Sequence, residues 1–205
     1  MKQTFLQTGI ASWLIGLIIV AVVAFIILIF LITAYKRLTR ARIKVDNSWS
    51  QINVQLKMRA DLIPNFVNTV KRAADLEQET LTRVIEARAK ATSVTVDPSN
   101  ITPEQLQQFQ AAQGEVSSAL QRLMVVVERY PELKAVQNFR DLQVELEGTE
   151  NRIAVARNNF NDAAREYNTF IKKFPNNFIA SLTKFSDRPY FEAAEGTEVA
   201  PKVEF

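Results

Sequence analysis

The chain has 205 residues and a formal net charge of +3, from 25 Lys and Arg against 22 Asp and Glu. It contains no His and no Cys. That removes disulfides, thiolate nucleophiles, imidazole bases and nearly every zinc, copper or haem site. The missing Cys leaves the redox compartment open. A net charge this small gives no reason to expect nucleic acid as a partner. With 5 Gly and 7 Pro in the whole chain, turns are few and elements long.

The first predicted element is a membrane anchor. No residue from Gln3 through Tyr35 is charged, and Ile10 to Ala34 is almost wholly apolar. A bilayer core needs roughly 20 apolar residues, so this run spans it with some tilt. It exceeds the roughly 7–15 residues of a signal-peptide core, so the anchor is expected to remain uncleaved. Trp13 and Tyr35 lie near its ends, where interfacial aromatics belong. Ser12 and Gly16 form a small-xxx-small pair, either by chance or as a packing site between two anchors. Lys36, Arg37, Arg40, Arg42 and Lys44 follow the run, while Lys2 alone precedes it. The positive-inside rule then places the N-terminus outside and the body in the cytoplasm. The same basic collar can also hold anionic lipid headgroups.

Heptads fill the body. Tyr35, Leu38, Arg42, Val45, Trp49, Ile52 and Leu56 alternate spacings of three and four. Leu106, Phe109, Gln113, Val116, Leu120, Leu123, Val127 and Tyr130 do the same. So do Phe139, Leu142, Leu146, Thr149, Ile153, Ala156, Phe160, Ala163, Tyr167, Phe170 and Phe174. This is the knobs-into-holes pattern of coiled coils and helical bundles. Between them, Leu62 to Thr92 reads as a less regular helix, with Leu62, Phe66, Val70, Ala73, Leu81 and Val84 on its apolar side.

Three joints are expected. Pro64 lacks an N–H and clashes with the carbonyl four residues back, so it predicts a break near Ala60 to Ile63. Asp61 would then cap the next helix. In "TSVTVDPSNITPEQ", Thr102 is a good N-cap, Pro103 sits at the first helical position, and Gln105 completes a capping box. Tyr130-Pro131 makes the third. Gly148 falls inside the last helix and is either tolerated or a point of close helix approach. Pro175 and two Asn end that helix near Phe174.

The expected fold is all-α: an N-terminal transmembrane helix followed by an antiparallel bundle of long heptad helices. Residues 1–34 form the anchor, 35–174 the bundle domain and 175–205 an apolar C-terminal tail. The shorter helices cannot cover the whole last helix, so its ends need partners in the tail or in another subunit. Phe178, Ile179, Leu182, Phe185, Tyr190 and Phe191 make the tail an apolar patch, too short to span a bilayer. It can pack on its own bundle, on the lipid interface or on a neighbouring subunit. Subunit contact through Phe178 and Phe185 is the favoured choice, because anchored chains share a plane.

The run "WSQINVQLKMRADLIPNFVNTVK" resembles a signature of the LemA family of bacterial membrane proteins. "NFRDLQVELEGTENRIAVARNNFNDAAREYNTFIKKFPNNFIA", followed by "PYFEA", resembles its second signature. The similarity covers nearly the whole chain and implies an anchor followed by an antiparallel helical domain. The family often carries Gly-Tyr-Ala and His-Glu after the first signature. Here "KRAADLEQE" stands instead, with Arg72 and Asp75-Leu76-Glu77, so no role of that His carries over. The resemblance brings no established enzymatic activity. It implies association with membrane organisation, with magnetosome membranes in one branch, and with neighbourhoods of membrane peptidases.

No catalytic, cofactor-binding or metal-ligating residue emerges. There is no Gly-rich loop before Lys-Ser or Lys-Thr, and bundle di-iron sites need a Glu-x-x-His that this chain lacks. Glu145, Glu147 and Glu150 read as a solvated helix face. Asn158, Asn159, Asn161 and Asp162 are unusual in a helix. They form either a partner-binding strip or, as favoured, an internal amide network with Gln51, Asn53, Gln55 and Asn65. Trp49 is a core knob or an exposed partner anchor. Two functions remain: a self-assembling membrane scaffold or remodelling protein, and a regulatory adaptor of a membrane enzyme such as a quality-control peptidase. The expected partners are the lipid bilayer, further copies of the chain, and a membrane peptidase or other membrane protein, with no cofactor. The expected location is the bacterial plasma membrane, crossed once.

Overall fold

The computed structural model describes residues 2–73 and 78–192. It opens with one helix, α1 (Lys2–Ala73), of 72 residues. At 1.5 Å per residue that is a rod of about 108 Å. Its side chains from Trp13 through Thr33 are all exposed. Further along, Leu38, Val45, Trp49, Ile52, Leu56, Ile63, Phe66 and Val70 turn inward. The joint expected at Ala60–Ile63 does not exist, because Pro64 lies inside α1. The carbonyl that Pro64 deprives of a backbone partner belongs to Ala60. The Arg88 Nε, from the following helix, donates to that oxygen at 2.5 Å. With the freed acceptor satisfied and the apolar stripe still in phase, nothing forces a break. Asp61 is therefore an exposed mid-helix residue and caps nothing.

α1 instead continues to Ala73, and the next described element is α2 (Gln78–Ser93); Asp75, Leu76 and Glu77 lie outside the described residues. α3 (Pro103–Val127) begins as expected. The Gln105 N–H donates to Thr102 Oγ1, and the Thr102 N–H donates to Gln105 Oε1, which closes the capping box. The third joint is also present, as a short α4 (Pro131–Ala135) before α5 (Gln137–Lys172). α5 runs through Gly148, whose added Cβ would meet only the flexible end of Arg152. Glycine there is simply tolerated. A last helix, α6 (Asn176–Leu182), precedes an extended segment to Glu192. No strand occurs among the described residues.

Cross-helix pairs fix the topology. Asn138 meets Thr69, Arg152 meets Gln55, and Glu166 meets Lys44, so α5 runs antiparallel to α1 along most of its length. Lys90 pairs with Glu115 at 2.6 Å and Gln113 donates to the Ala91 carbonyl, so numbering falls along α3 as it rises along α2 and the two are antiparallel as well. α1, α2, α3 and α5 thus form an up-down-up-down bundle.

The interior divides into two apolar clusters. The distal one gathers Phe66, Val70, Val84, Leu123 and Phe139 from all four long helices. The proximal one, nearer the exposed run of α1, gathers Leu38, Trp49, Phe109, Phe160 and Tyr167 with Ile179 and Phe191. Trp49 is its hub, with ring centroids 5.1 Å from Phe109, 5.6 Å from Phe160 and 5.9 Å from Phe191. The core-knob reading of Trp49 holds. At the margins of the heptads, Tyr35, Arg42 and Phe174 face outward.

Candidate functional site

Three places carry polar or apolar features that the fold alone does not use up: the layer between the two clusters, the clasp that holds the tail, and the membrane-proximal end with the open face above it.

The layer is centred on Arg59, which is 1% exposed. Its guanidinium donates to Glu150 Oε1 at 2.6 Å, Ser117 Oγ at 3.0 Å and Gln113 Oε1 at 2.5 Å. Gln113 in turn donates to the Ala91 carbonyl, and Thr149 is fully buried beside them. Four helices therefore meet at one polar level. Glu150 is not part of a solvated face as expected; it turns inward to Arg59. Glu145 does lie outside, paired with Arg152 at 3.0 Å, and Glu147 accepts from Gln143. Sequence reasoning missed Arg59. The signal was present: Arg59 continues the heptad from Leu56, and Gln113 and Thr149 occupy heptad positions where apolar residues are normal.

The clasp is a ladder of side-chain amides. Asn168 Nδ2 donates to the Arg188 carbonyl, and the Arg188 N–H donates back to Asn168 Oδ1, both at 2.8 Å. Asn161 does the same with Phe191, at 2.9 and 2.8 Å. Gln110 on α3 does it with Glu192. Each primary amide thus mimics a backbone strand partner for an extended chain. The expected network of Asn158, Asn159, Asn161 and Asp162 with Gln51, Asn53, Gln55 and Asn65 does not form. Asn158, Asn159, Gln51, Asn53 and Asn65 are exposed, Asp162 pairs with Arg165, and Gln55 accepts from Arg152. Only Asn161 binds inward, and its partner is the tail.

Ion pairs reinforce the clasp. Arg188 is 4% exposed. It donates to the Ser99 carbonyl, lies 3.5 Å from Asp46, and sits over the Tyr167 ring. Burial raises the Asp46 pKa above its ordinary value, outweighing the opposing pull of Arg188 and Arg42. Arg157 lies over the Phe191 ring at 5.3 Å. Burial, then repulsion from Arg59, lowers its pKa.

At the membrane-proximal end, α1 carries a stretch long and apolar enough to cross a bilayer, and nothing in the described chain covers it. The Ser12 side chain, half of the small-residue pair, lies outside the described residues. Of the basic collar, Arg42 sits over the Phe185 ring at 5.5 Å and Lys44 pairs with Glu166. Lys36, Arg37 and Arg40 face outward. Phe185 packs on the chain's own bundle, while Phe178 stays outside. Above the collar, the α1 and α5 face away from α2 and α3 is open. It holds a groove lined by Gln51, Val54, Asn151, Val155 and Asn159. The valines there are more than half exposed, and amides flank them.

No group of three or more carboxylates among the described residues is placed to hold a metal ion. The arrangement offers surfaces and fixed contacts; the Ser117 hydroxyl lies 3.3 Å from Glu150 Oε2, but that carboxylate is already engaged by Arg59 at 2.6 Å.

The sequence model of the LemA family matches residues 48–205. The magnetosome protein MamQ 2 of Paramagnetospirillum magneticum is 41% identical over 81 residues, covering 40% of this chain and 30% of its own length. Magnetosome protein MamQ of Magnetospirillum gryphiswaldense is 28% identical over 159 residues, covering 69% of this chain and 58% of its own. Protein LemA of Metamycoplasma hominis is 25% identical over 158 residues, covering 77% and 68%. The chain therefore spans less than two thirds of the length of these magnetosome proteins.

Proposed function

The chain belongs to the LemA family, and from that premise we propose that it is a non-enzymatic, membrane-anchored helical scaffold. In this reading α1 crosses the bacterial plasma membrane once, with the N-terminus outside and the bundle in the cytoplasm. Copies assemble side by side and organise or remodel the bilayer that holds them. The observation that carries it is the open α1–α5 face, built on the same rod as the apolar span. Val54 and Val155 stand exposed there among amides, on the wall that no other helix covers. Chains anchored in one plane meet at high effective concentration, so a modest patch is enough for assembly. The magnetosome names of two relatives favour work on membranes over catalysis.

The test is to extract the full chain in mild detergent and measure its mass together with whatever accompanies it. A large species made of this chain alone supports the scaffold, and Val54→Asp with Val155→Asp then reduces it to a smaller one with unchanged circular dichroism. A second protein in fixed stoichiometry moves the assignment to an adaptor of a membrane enzyme. A lone monomer removes the scaffold. Orientation is checked separately: protease added outside intact cells spares the bundle, and cleavage of the bundle from outside overturns the topology.

A further inference from the structure

α6 is a seven-residue helix with two unlike sides. Ile179 and Ala180 are buried in the proximal core. On the other side Phe178 and Leu182 are 69% and 75% exposed, and Phe174, in the turn that leads into α6, is 87% exposed. Phe178 and Leu182, four residues apart, form a stripe along one face of α6. Such a stripe of large side chains is not what a water-facing helix presents.

Its height along the rod says what covers it. Lys44 faces Glu166, and continuing that antiparallel register brings Lys172, the last residue of α5, level with Leu38. The chain after α6 is pinned at the same height: the Phe185 ring lies 6.1 Å from Tyr35 and 5.5 Å from the Arg42 guanidinium. Tyr35 closes the apolar run of α1, and Lys36 opens the basic collar. α6 is therefore level with the boundary where α1 passes from apolar to charged. The carboxylates at this level, Glu166 and Asp187, are paired with Lys44 and Lys172, so the charge left over is basic. Lys36, Arg37, Arg40, Lys173 and Lys184 are exposed, and none is tied to a carboxylate among the described residues. A second copy of this chain would have to bring carboxylates to such a ring, whereas an anionic lipid surface supplies them directly.

We propose that α6 is a second membrane contact: Phe174, Phe178 and Leu182 enter the interfacial zone of the leaflet nearest the bundle, and the surrounding lysines and arginines bind its anionic headgroups. A helix this short cannot span, and an exposed patch of two Phe and one Leu suits the headgroup–acyl boundary. The anchor and α6 then hold the bundle at two points, which fixes its rotation about the rod axis. The inference rests on α1 crossing the bilayer.

The chain has no cysteine, so a single introduced thiol reports one position. Phe178→Cys, Leu182→Cys, Ile32→Cys and Gln121→Cys, each in the full-length chain, are labelled with an environment-sensitive fluorophore; Gln121 is exposed on α3, away from the α1–α5 face. The labelled chains are reconstituted in vesicles of phosphatidylcholine with phosphatidylglycerol. Spin-labelled lipids quench the label at Ile32 if α1 spans, and leave the one at Gln121 unaffected. Labels at 178 and 182 are expected to shift to the blue and to be quenched by labels near the headgroup more than by labels deep in the acyl chain. Replacing Lys173 and Lys184 by Gln, or omitting phosphatidylglycerol, is expected to reduce that quenching. If Ile32 is quenched while 178 and 182 behave like Gln121, α6 faces water and the inference is wrong, while the anchor stands. If 178 and 182 shift to the blue without lipid quenching, and the shift grows with protein density, another copy covers α6 and the inference is wrong. If Ile32 itself escapes quenching, the anchor and the inference fall together.

Discussion

The two halves of the bundle solve the same packing problem by different means. The distal half is a four-helix interior in which α1, α2, α3 and α5 each supply a wall. Among the described residues the proximal half has only α1, α5, the first turns of α3 and the short α6, because α2 ends at Ser93. Its fourth wall is irregular chain: Val94, Val96 and Ile101 before α3, and the strap from Phe185 to Phe191 after α6. A helix can present a wall with its own backbone satisfied. An extended strap cannot, so the proximal half needs Asn161, Asn168 and Gln110 to answer the backbone of residues 188–192. It also uses larger rings, since a thin strap leaves more space to fill than a helix would. An incomplete bundle is thus completed by side-chain amides and aromatics, and the Arg59 layer divides the two constructions.

If that division is real, the halves respond separately to damage. The largest effect is expected from Trp49→Ala, at about 3–5 kcal/mol for a fully buried aromatic. Hydrogen exchange should accelerate along 45–56 and 153–171 before it does along 81–91 and 112–127. Equal acceleration in both would make the bundle one cooperative unit. Next is Arg59→Ala, at about 3 kcal/mol, the low end for a broken buried pair because Glu150 keeps access to water. Thermal melts check its size, and loss of protection in both halves at once would identify the layer as their coupling element. Asn168→Ala strands the Arg188 N–H and carbonyl at about 2 kcal/mol. Limited proteolysis should then cut within 183–192, and an uncut strap would mean that its apolar contacts suffice.

The distal half offers a sharper test. Arg88→Met leaves the Ala60 carbonyl unanswered and should cost about 1 kcal/mol. In a Pro64→Ala background a backbone N–H can reach that carbonyl, so the same change should cost less. A double-mutant cycle without coupling would show that Arg88 does not substitute for the missing donor. The smallest effect is a pH dependence. The folded Asp46 pKa lies above its ordinary 3.8, so the folded state takes up that proton first. Its stabilising contribution is present below 3.8 and is lost as pH rises through the folded value. The melting temperature of Asp46→Asn minus that of wild type should grow across that rise, and a constant difference would place the strain elsewhere.

What the sequence revealed follows the range of the interactions. The Thr102–Gln105 capping box is local, within one turn, and was legible in full. The heptads of α3 and α5 were legible because burial repeats along one element. Pro64 was misread because its remedy, Arg88, lies 28 residues from the Ala60 carbonyl it serves, and no local pattern signals that pairing. The amides were noticed for the right reason, since Asn is a poor helix former, but assigned the wrong partner. Asn161 and Asn168 stand one heptad apart, beside the core residues Phe160 and Tyr167, which marks a common inward-leaning face. Their partner is backbone, which has no side-chain signature to read. The tail was legible as apolar and in need of cover. Which of its residues would turn inward depended on the clasp, so Phe185 and Phe178, read together as one contact, separate.

The unbroken run of α1 has a mechanical consequence. With no joint at Pro64, the bundle and the apolar run of α1 share one stiff lever, and if that run crosses a bilayer the lever tilts with it. From Leu38 to Ala73 its arm is about 50 Å. A span longer or shorter than the local hydrocarbon thickness tilts to fit. A tilt of about ten degrees would sweep the far end of the bundle sideways by about 9 Å over that arm. Bilayer thickness would thereby set which neighbours the distal half can reach, turning a property of the lipid into a spacing between proteins.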